Sequence, residues 1–216
     1  MRLLVAATIV GALLQAQAQP PTPSPPDLAK RLQAHYDTVR DFTADFSQAS
    51  TGGVVRQTVK DHGAVRIKKP GRMWWDYKSS QKQQVVADGS QIYTYLPDDR
   101  KVYVAALPKA DEASSAMLFL TGRGDLLRDF TPSMPEEQSG GSWRLTLAPK
   151  TPQTDFTSIT LVVDRATLAL QGLVTTDQSK GMTIYTFSNL KENAGLADKD
   201  FVFSFAKLPK DVEVIR

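Results

Sequence analysis

The fold class of this chain is decided by one stretch of sequence, Ile67-Lys68-Lys69-Pro70-Gly71-Arg72-Met73-Trp74-Trp75-Asp76-Tyr77. Two lysines precede a proline–glycine turn, and in the strand that follows every second residue is large and apolar or aromatic: Met73, Trp75 and Tyr77. A period of two places these side chains on one face of a β-sheet. The stretch therefore predicts a broad apolar surface beside a cationic turn, which suits the holding of an apolar molecule better than it suits catalysis.

The N-terminal residues predict export from the cytoplasm. Arg2 is followed by an apolar run from Leu3 to Leu14, and Ala16-Gln17-Ala18 has the small-x-small pattern of a cleavage site. A run of about a dozen residues is too short to cross a bilayer, which takes about 20. An uncleaved anchor is the alternative. We predict a signal peptide at residues 1–18, a proline-rich, disordered leader at residues 19–26 and a single domain at residues 27–216.

The sequence contains no cysteine. The domain must therefore be held by its core without disulfide bonds, and the cleavage site offers no thiol for attachment of a lipid. Together with a signal peptide of bacterial type, this predicts a soluble protein of the periplasm. The net charge is only +3, with lysine and arginine scattered among the acidic residues, so the sequence does not predict nucleic-acid binding.

Two helices are predicted by apolar residues at helical spacing. The first begins with Asp27 as its N-cap and runs to about Arg40, and the second runs from Glu112 to Leu120. A further helical turn is predicted between Gly124 and Phe130. The apolar stripe of the first helix comprises Leu28, Leu32, Tyr36 and Val39.

Strand patterns dominate the rest of the chain, and we count about eleven strands. Val54–Ile67 is interpreted as one or two strands around a turn at Asp61-His62-Gly63, and Asp88-Gly89 predicts a tight hairpin. Phe201, Phe203 and Phe205 alternate as in a further strand. The predicted class is therefore mainly β. A curled sheet of about eleven strands encloses more space than a closed barrel of about eight. The predicted helices are available to fill or cover that space.

The chain does not show the residue patterns of a catalytic or metal site. His35 lies in the first predicted helix and His62 in the predicted turn, and neither has zinc-ligand spacing. The Gly-x-Ser-x-Gly elbow of hydrolases and the glycine-rich phosphate loop are both missing. We therefore predict no catalytic residue, no metal and no cofactor.

Several short motifs, in their order and spacing, resemble the LolA family of periplasmic lipoprotein carriers. The resemblance covers nearly the whole mature chain, from about Leu28 to Ile215. The motifs are Lys69–Tyr77, Val85–Gly89, Tyr93-Thr94-Tyr95, Asp177, Gly181-Met182-Thr183, Phe187-Ser188-Asn189, Phe201-Val202-Phe203 and Leu208–Val212.

The resemblance implies an unclosed antiparallel β-barrel with a helical lid over a hydrophobic cavity. It also implies a periplasmic chaperone that accepts acylated lipoproteins from an inner-membrane ABC transporter and passes them to an outer-membrane lipoprotein receptor. The receptor of the family is lipidated on cysteine, so this cysteine-free chain resembles the carrier. A monomer is expected.

The resemblance further implies that an arginine before the proline holds the lid shut by hydrogen bonds to carbonyl groups of the lid backbone. This chain has Lys69 at that position. Lysine offers one flexible ammonium in place of a planar fork of five donors. We predict a lid gate formed by Lys69 with Arg72 as a second candidate, held less rigidly than by arginine. A water-facing Lys69 is the alternative.

The candidates for binding acyl chains are large apolar residues of the first quoted strand, its neighbours and the second predicted helix. For each of them ordinary core packing is the alternative interpretation. Two other functions stay open, a lipid- or lipoprotein-sensing module of the cell envelope and an enzyme acting on lipids. The candidate lining residues are Met73, Trp75, Tyr77, Ile92, Met117, Leu118, Phe119 and Leu120.

Overall fold

The structure, a computed structural model, describes residues 22–52, 57–79, 82–107, 120–122, 124–138 and 140–216. These residues form two α-helices, α1 (Pro25–Thr38) and α2 (Leu126–Asp129), and two 3-10 helices, Asp198–Phe201 and Phe205–Lys207. They also form twelve strands: β1 (Asp41–Thr51), β2 (Thr58–Lys68), β3 (Arg72–Tyr77), β4 (Gln83–Asp88), β5 (Gln91–Leu96), β6 (Lys101–Ala106), β7 (Phe130–Ser133), β8 (Ser142–Pro149), β9 (Ser158–Asp164), β10 (Leu170–Thr176), β11 (Met182–Glu192) and β12 (Glu213–Ile215).

All twelve strands belong to one sheet with the order β12-β6-β5-β4-β3-β2-β1-β11-β10-β9-β8-β7. Neighbouring strands are antiparallel, except that β12 runs parallel to β6. The edge strands β12 and β7 lie at opposite ends of this order, so the sheet is curled but unclosed. The predicted mainly β, unclosed architecture is confirmed, with twelve strands in the described residues where about eleven were predicted.

Helix α1 starts two residues earlier than the sequence analysis predicts. The hydroxyl of Ser24 accepts a hydrogen bond from the Asp27 amide at 3.3 Å, and Pro25 and Pro26 occupy the first turn. Proline is well tolerated there because its missing N–H would have no partner inside the helix. The N-cap is therefore Ser24, and the last two residues of the predicted leader belong to the helix.

The predicted turn at Asp61-His62-Gly63 is wrong, because β2 runs through it without interruption. His62 is an exposed strand residue opposite Ser47 of β1. Gly63 stands opposite Phe46 and Tyr77, where its missing side chain lets the neighbouring strand and the Phe46 ring approach closely. A glycine inside a strand is typical of such an approach, and here it was misread as a turn.

One face of the sheet, the inner face, carries the larger core together with α1. Met73 and Trp75 point to this face, with 2% and 0% of their surface exposed, and Tyr77 is partly buried beside them. The shared face predicted for these three residues is confirmed. They pack with Phe42 and Phe46 of β1, and the buried side of α1 contributes Leu28, Ala29 and Leu32.

The opposite face, the outer face, has a smaller core that the sequence analysis missed. Val86, Tyr93 and Val102 are buried there beneath the C-terminal segment. Phe203 stacks on Tyr93 with ring centroids 4.9 Å apart and planes 10° apart. The strand predicted around Phe203 is wrong, because the segment folds as two 3-10 helices whose aromatic side chains cover the sheet instead of extending it.

Candidate functional site

A small apolar pocket, with a cavity volume of about 30 Å³, lies between α1 and the inner face of the sheet. Its polar lining consists of His35, Tyr36 and Glu192, and the His35 Nε2 and Glu192 Oε1 atoms are 3.1 Å apart. An apolar pocket with a few polar groups at its side is the usual form of a ligand site. The lining residues are Leu32, His35, Tyr36, Phe42, Leu120, Leu126, Leu161, Val163, Leu168, Leu170, Leu190 and Glu192.

The inner face becomes polar at the end that lies away from α1. The Tyr77 hydroxyl donates to Gln48 Oε1 at 3.0 Å, and Gln48 Nε2 donates to Ser50 Oγ at 3.0 Å. The Ser50 and Thr183 hydroxyls are 3.2 Å apart. Burial raises the pKa of Tyr77 and of Tyr185, so both phenols stay neutral. The inner face thus runs from an alkyl-lined end under α1 to a neutral, hydrogen-bonding end.

Trp75 lies between these two ends within a cluster of aromatic rings. Its ring centroid is 4.9 Å from that of Phe46, 5.5 Å from that of Tyr185 and 6.3 Å from that of Phe187. The side chain is fully buried, yet its indole Nε1 has no hydrogen-bond partner among the described residues. A buried donor without a partner is rare in a folded protein.

A set of contacts, which we name the clasp, joins α1, the turn before β3 and residues 120–122. Lys69 Nζ donates to the carbonyl of Tyr36 and lies 3.3 Å from the centroid of the Tyr36 ring. The Tyr36 hydroxyl donates to the carbonyl of Leu120, and the Gly71 amide donates to the carbonyl of Thr121 at 3.0 Å. Leu120 and Thr121 are both buried by this arrangement. The clasp therefore ties one wall of the apolar pocket to the sheet.

The charged group of the clasp, the ammonium of Lys69, is partly buried. Burial lowers the pKa of Lys69 to about 8, although the carboxylates of Asp37 and Glu192 act in the opposite direction. Burial raises the pKa of Tyr36, and the charge of Glu192 adds to this. Lys69 is therefore largely protonated near neutral pH, and its ammonium has the Tyr36 carbonyl and ring as compensation for lost water.

The prediction that Arg72 takes part in this gate is wrong, because its described ion pair is with Asp198 and not with a residue of the clasp. Arg72 points to the outer face, where its Nη2 lies 3.2 Å from Asp198 Oδ2. Lys68, its cross-strand partner, binds the other oxygen of Asp198 at 2.7 Å, and this hydrogen bond lowers the pKa of Asp198. Because alternate residues face opposite sides of a sheet, Arg72 and Lys68 anchor the C-terminal segment while Lys69 reaches α1.

The predicted lining residues divide into three groups. Met73, Trp75, Tyr77 and Ile92 lie on the inner face but are packed into its core and do not line the apolar pocket. Leu120 does line the pocket, whereas Met117, Leu118 and Phe119 lie outside the described residues.

The sequence analysis missed most of the actual lining. Of the eleven missed residues, five lie on β9, β10 and the end of β11, and three lie on α1. Alternation predicted these strands but not which strand ends meet under α1.

Comparison with known proteins decides the family. A family model described as outer membrane lipoprotein carrier protein LolA matches residues 37–204. The chain belongs to the LolA family. It is 30% identical over 188 residues to an outer-membrane lipoprotein carrier protein of Chromohalobacter salexigens, covering 87% of this chain and 86% of that one. It is 32% identical over 189 residues to the protein of the same name in Legionella pneumophila strain Corby, covering 87% and 89% of the two chains.

A solved structure supports the fold independently of close sequence similarity. An uncharacterized conserved protein from Thermus thermophilus superposes with a TM-score of 0.53 at 12% identity, covering 88% of this chain and 99% of that one.

In this LolA-family chain, none of the helices within the described ranges is both long and apolar enough to cross a membrane. The described residues also contain no group of three or more His, Cys, Asp or Glu side chains placed to hold a metal ion.

Gly122 offers a direct test of the clasp. Its φ is +77°, and a methyl group there would lie 2.6 Å from Lys69 Cδ and 2.8 Å from Lys69 Cγ. We expect Gly122→Ala to push the lysine away from Tyr36, to cost about 2 kcal/mol in total and to accelerate hydrogen exchange at the Gly71 amide by about tenfold. Nuclear magnetic resonance of the amide measures the exchange, and urea unfolding measures the free energy.

The matched control is Gly140→Ala. Gly140 also has a positive φ, +61°, but a methyl group there meets nothing within 4 Å. The Gly140→Ala variant carries the same kind of backbone strain without the contact to Lys69. Hydrogen exchange at the Gly71 amide should therefore stay at the wild-type rate. Equal exchange rates at Gly71 in the two variants would show that the clasp does not depend on the position of Lys69.

Proposed function

We propose that this LolA-family protein is a periplasmic carrier that binds the acyl chains of lipoproteins against the inner face of its sheet. It accepts them from an inner-membrane ABC transporter and delivers them to an outer-membrane lipoprotein receptor. The observation that carries the proposal is an apolar pocket that is closed by the clasp and continuous with an apolar core. Family membership and the names of the relatives support the same role.

The energetics favour a carrier whose cavity is filled by its own side chains when empty. Burial of one methylene contributes about 0.8 kcal/mol, so a chain of about 16 carbons gains on the order of 10 kcal/mol in a preformed apolar cavity. Binding of that strength makes release slow. Here Met73 and Trp75 are already buried, so the incoming chain must displace apolar contacts that the protein makes with itself. This exchange lowers the net affinity to a range that permits transfer.

The clasp suits the gate of such a carrier. Lys69 uses one ammonium on a flexible stem, and it donates to a backbone carbonyl of α1. A lysine gives less geometric constraint than the arginine fork at an equivalent position. Opening α1 and residues 120–122 requires the loss of the hydrogen bonds that Lys69, Tyr36 and Gly71 donate. Because such polar contacts can be exchanged for contacts with water, the gate is free to reopen.

Native mass spectrometry of the mature protein tests the proposal. The protein is mixed with a detergent-solubilised triacylated lipoprotein and, separately, with the same lipoprotein lacking its acyl chains. We expect a one-to-one complex with the acylated form alone, because the binding surface is apolar. A folded protein that binds neither form, or both forms equally, would contradict the carrier function.

A further inference from the structure

Two buried indole groups lack hydrogen-bond partners among the described residues, those of Trp75 and Trp143. Each N–H loses its water on folding and gains no acceptor from this part of the chain, which destabilises the protein. A phenylalanine in either place would keep most of the ring and remove that penalty. The two tryptophans therefore differ from ordinary core residues and each calls for a physical explanation.

Trp143 has a compensating contact. The guanidinium carbon of Arg165 lies 4.1 Å from the Trp143 ring centroid, and a cation over an indole ring is a favourable arrangement. Arg165 also donates to the carbonyl groups of Ser142 and Gln138, at 3.1 and 2.8 Å. The Trp143 ring thus packs beneath an anchored cation and serves the structure of β8.

Trp75 has no such cation contact within the described ranges. It does not line the apolar pocket, but it lies on the inner face, the surface proposed above to bind acyl chains. Its ring neighbours are Phe46, Tyr185 and Phe187, all on the inner face. It lies where the alkyl-lined end of that face meets the neutral polar end around Tyr77 and Gln48. A molecule that enters between these rings can bring an acceptor for its N–H.

We propose that the Trp75 indole N–H donates a hydrogen bond to the carbonyl oxygen of a fatty acyl ester in the lipid part of the cargo. This inference rests on the proposed carrier function and adds a specificity residue to it. The alkyl chain then extends toward the leucine-lined pocket under α1, and the glycerol side of the ester faces Gln48, Tyr77 and Tyr185. The polarity of the inner face matches a molecule with that order of groups.

The chemistry of the surroundings selects an ester carbonyl over a charged acceptor. Burying an unpaired carboxylate among aromatic rings is strongly unfavourable, and the rings that surround Trp75 in the described structure carry no positive charge to compensate it. An ester carbonyl accepts one hydrogen bond and carries no charge. A site built to hydrogen-bond one group discriminates against an analogue that lacks it, since its own polar group then stays unpaired.

The test compares two lipopeptides that differ only in their two ester carbonyl groups, one of which is the proposed acceptor. One carries an S-(2,3-dipalmitoyloxypropyl)cysteine and the other its dihexadecyl ether analogue, and both are titrated into the mature protein by native mass spectrometry. We expect the wild type to bind the ester about three- to tenfold more tightly than the ether. We expect Trp75→Phe to weaken binding of the ester by the same factor and to leave binding of the ether unchanged.

Trp143→Phe is the matched control, because it removes the other unpaired indole N–H and should change the affinity for neither lipopeptide. A second readout separates a ligand contact from a structural role: Trp75→Phe should unfold at the same or a higher urea concentration than the wild type. If the wild type binds both lipopeptides and Trp75→Phe weakens both equally or neither, the assignment of the donor is wrong while the carrier function stands. If the wild type binds neither lipopeptide, the carrier function fails and the donor assignment fails with it.

Discussion

Gly63→Val is expected to lower the free energy of unfolding by about 3 kcal/mol or more. A side chain at position 63 would overlap the backbone carbonyl of Asp76 on β3 and would lie 2.9 Å from Cε1 of Phe46. The obstructing group is backbone, so no side-chain rotation relieves the contact. The β2–β3 pair must separate, and the sheet loses both hydrogen bonds and the packing of Phe46 against Trp75 and Tyr77.

Gly141→Val is the control for this variant. Gly141 lies in the exposed turn before β8, and an added methyl group meets nothing within 4 Å. Its replacement should change the stability by about 0.5 kcal/mol at most, in urea unfolding followed by circular dichroism. If the two variants unfolded at similar urea concentrations, the close approach of β3 to Gly63 would not be essential to the sheet.

Phe203→Ala is expected to cost about 3 kcal/mol and to free the C-terminal segment from the outer face. The Phe203 ring is 9% exposed and stacks on Tyr93, with a further edge contact to Tyr95 at 6.4 Å. It is a buried member of the outer core that comes from outside the sheet. Its removal leaves a cavity above Tyr93. The ion pairs of Asp198 with Lys68 and Arg72 cannot compensate, because the Asp198 side chain is 61% exposed and such pairs contribute little.

Phe205→Ala is the matched control, two residues further along the same segment. Phe205 is 39% exposed and touches Tyr93 only edge-on, with centroids 5.8 Å apart. We expect a loss of about 1 kcal/mol or less. Limited proteolysis measures release of the segment, and Phe203→Ala should be cut there much faster than Phe205→Ala. Equal protection of the two variants would mean that the segment is held by contacts other than the stacked pair.

Several features of the fold follow from patterns that are local in sequence. The alternation of Met73, Trp75 and Tyr77 correctly predicts their common face, because the orientation of side chains in a strand depends only on the backbone of that strand. The hairpin at Asp88-Gly89 is predicted for the same reason, since the strands on either side, β4 and β5, meet through a tight turn of known composition.

Local patterns failed where a long-range contact gives the same residue another role. Gly63 resembles a turn residue, yet it is a site of close strand approach. The alternating phenylalanines around Phe203 resemble a strand, yet they cover a sheet face whose buried residues lie about a hundred positions earlier in the chain. Proline at positions 25 and 26 resembles a disordered leader, yet Ser24 as N-cap turns both prolines into the start of α1.

By itself, the sequence determined the strand-rich class, the inner-face position of the aromatic strand and the placement of a cation at the turn before it. Only the tertiary structure decided that Lys69 contacts Tyr36 while Arg72 contacts Asp198, and that the ends of β1, β9, β10 and β11 enclose one apolar pocket. It also decided that the Trp75 indole meets no acceptor among the described residues. The physical reason is that these properties depend on the curvature and register of the whole sheet, which bring together residues from 33 to more than a hundred positions apart.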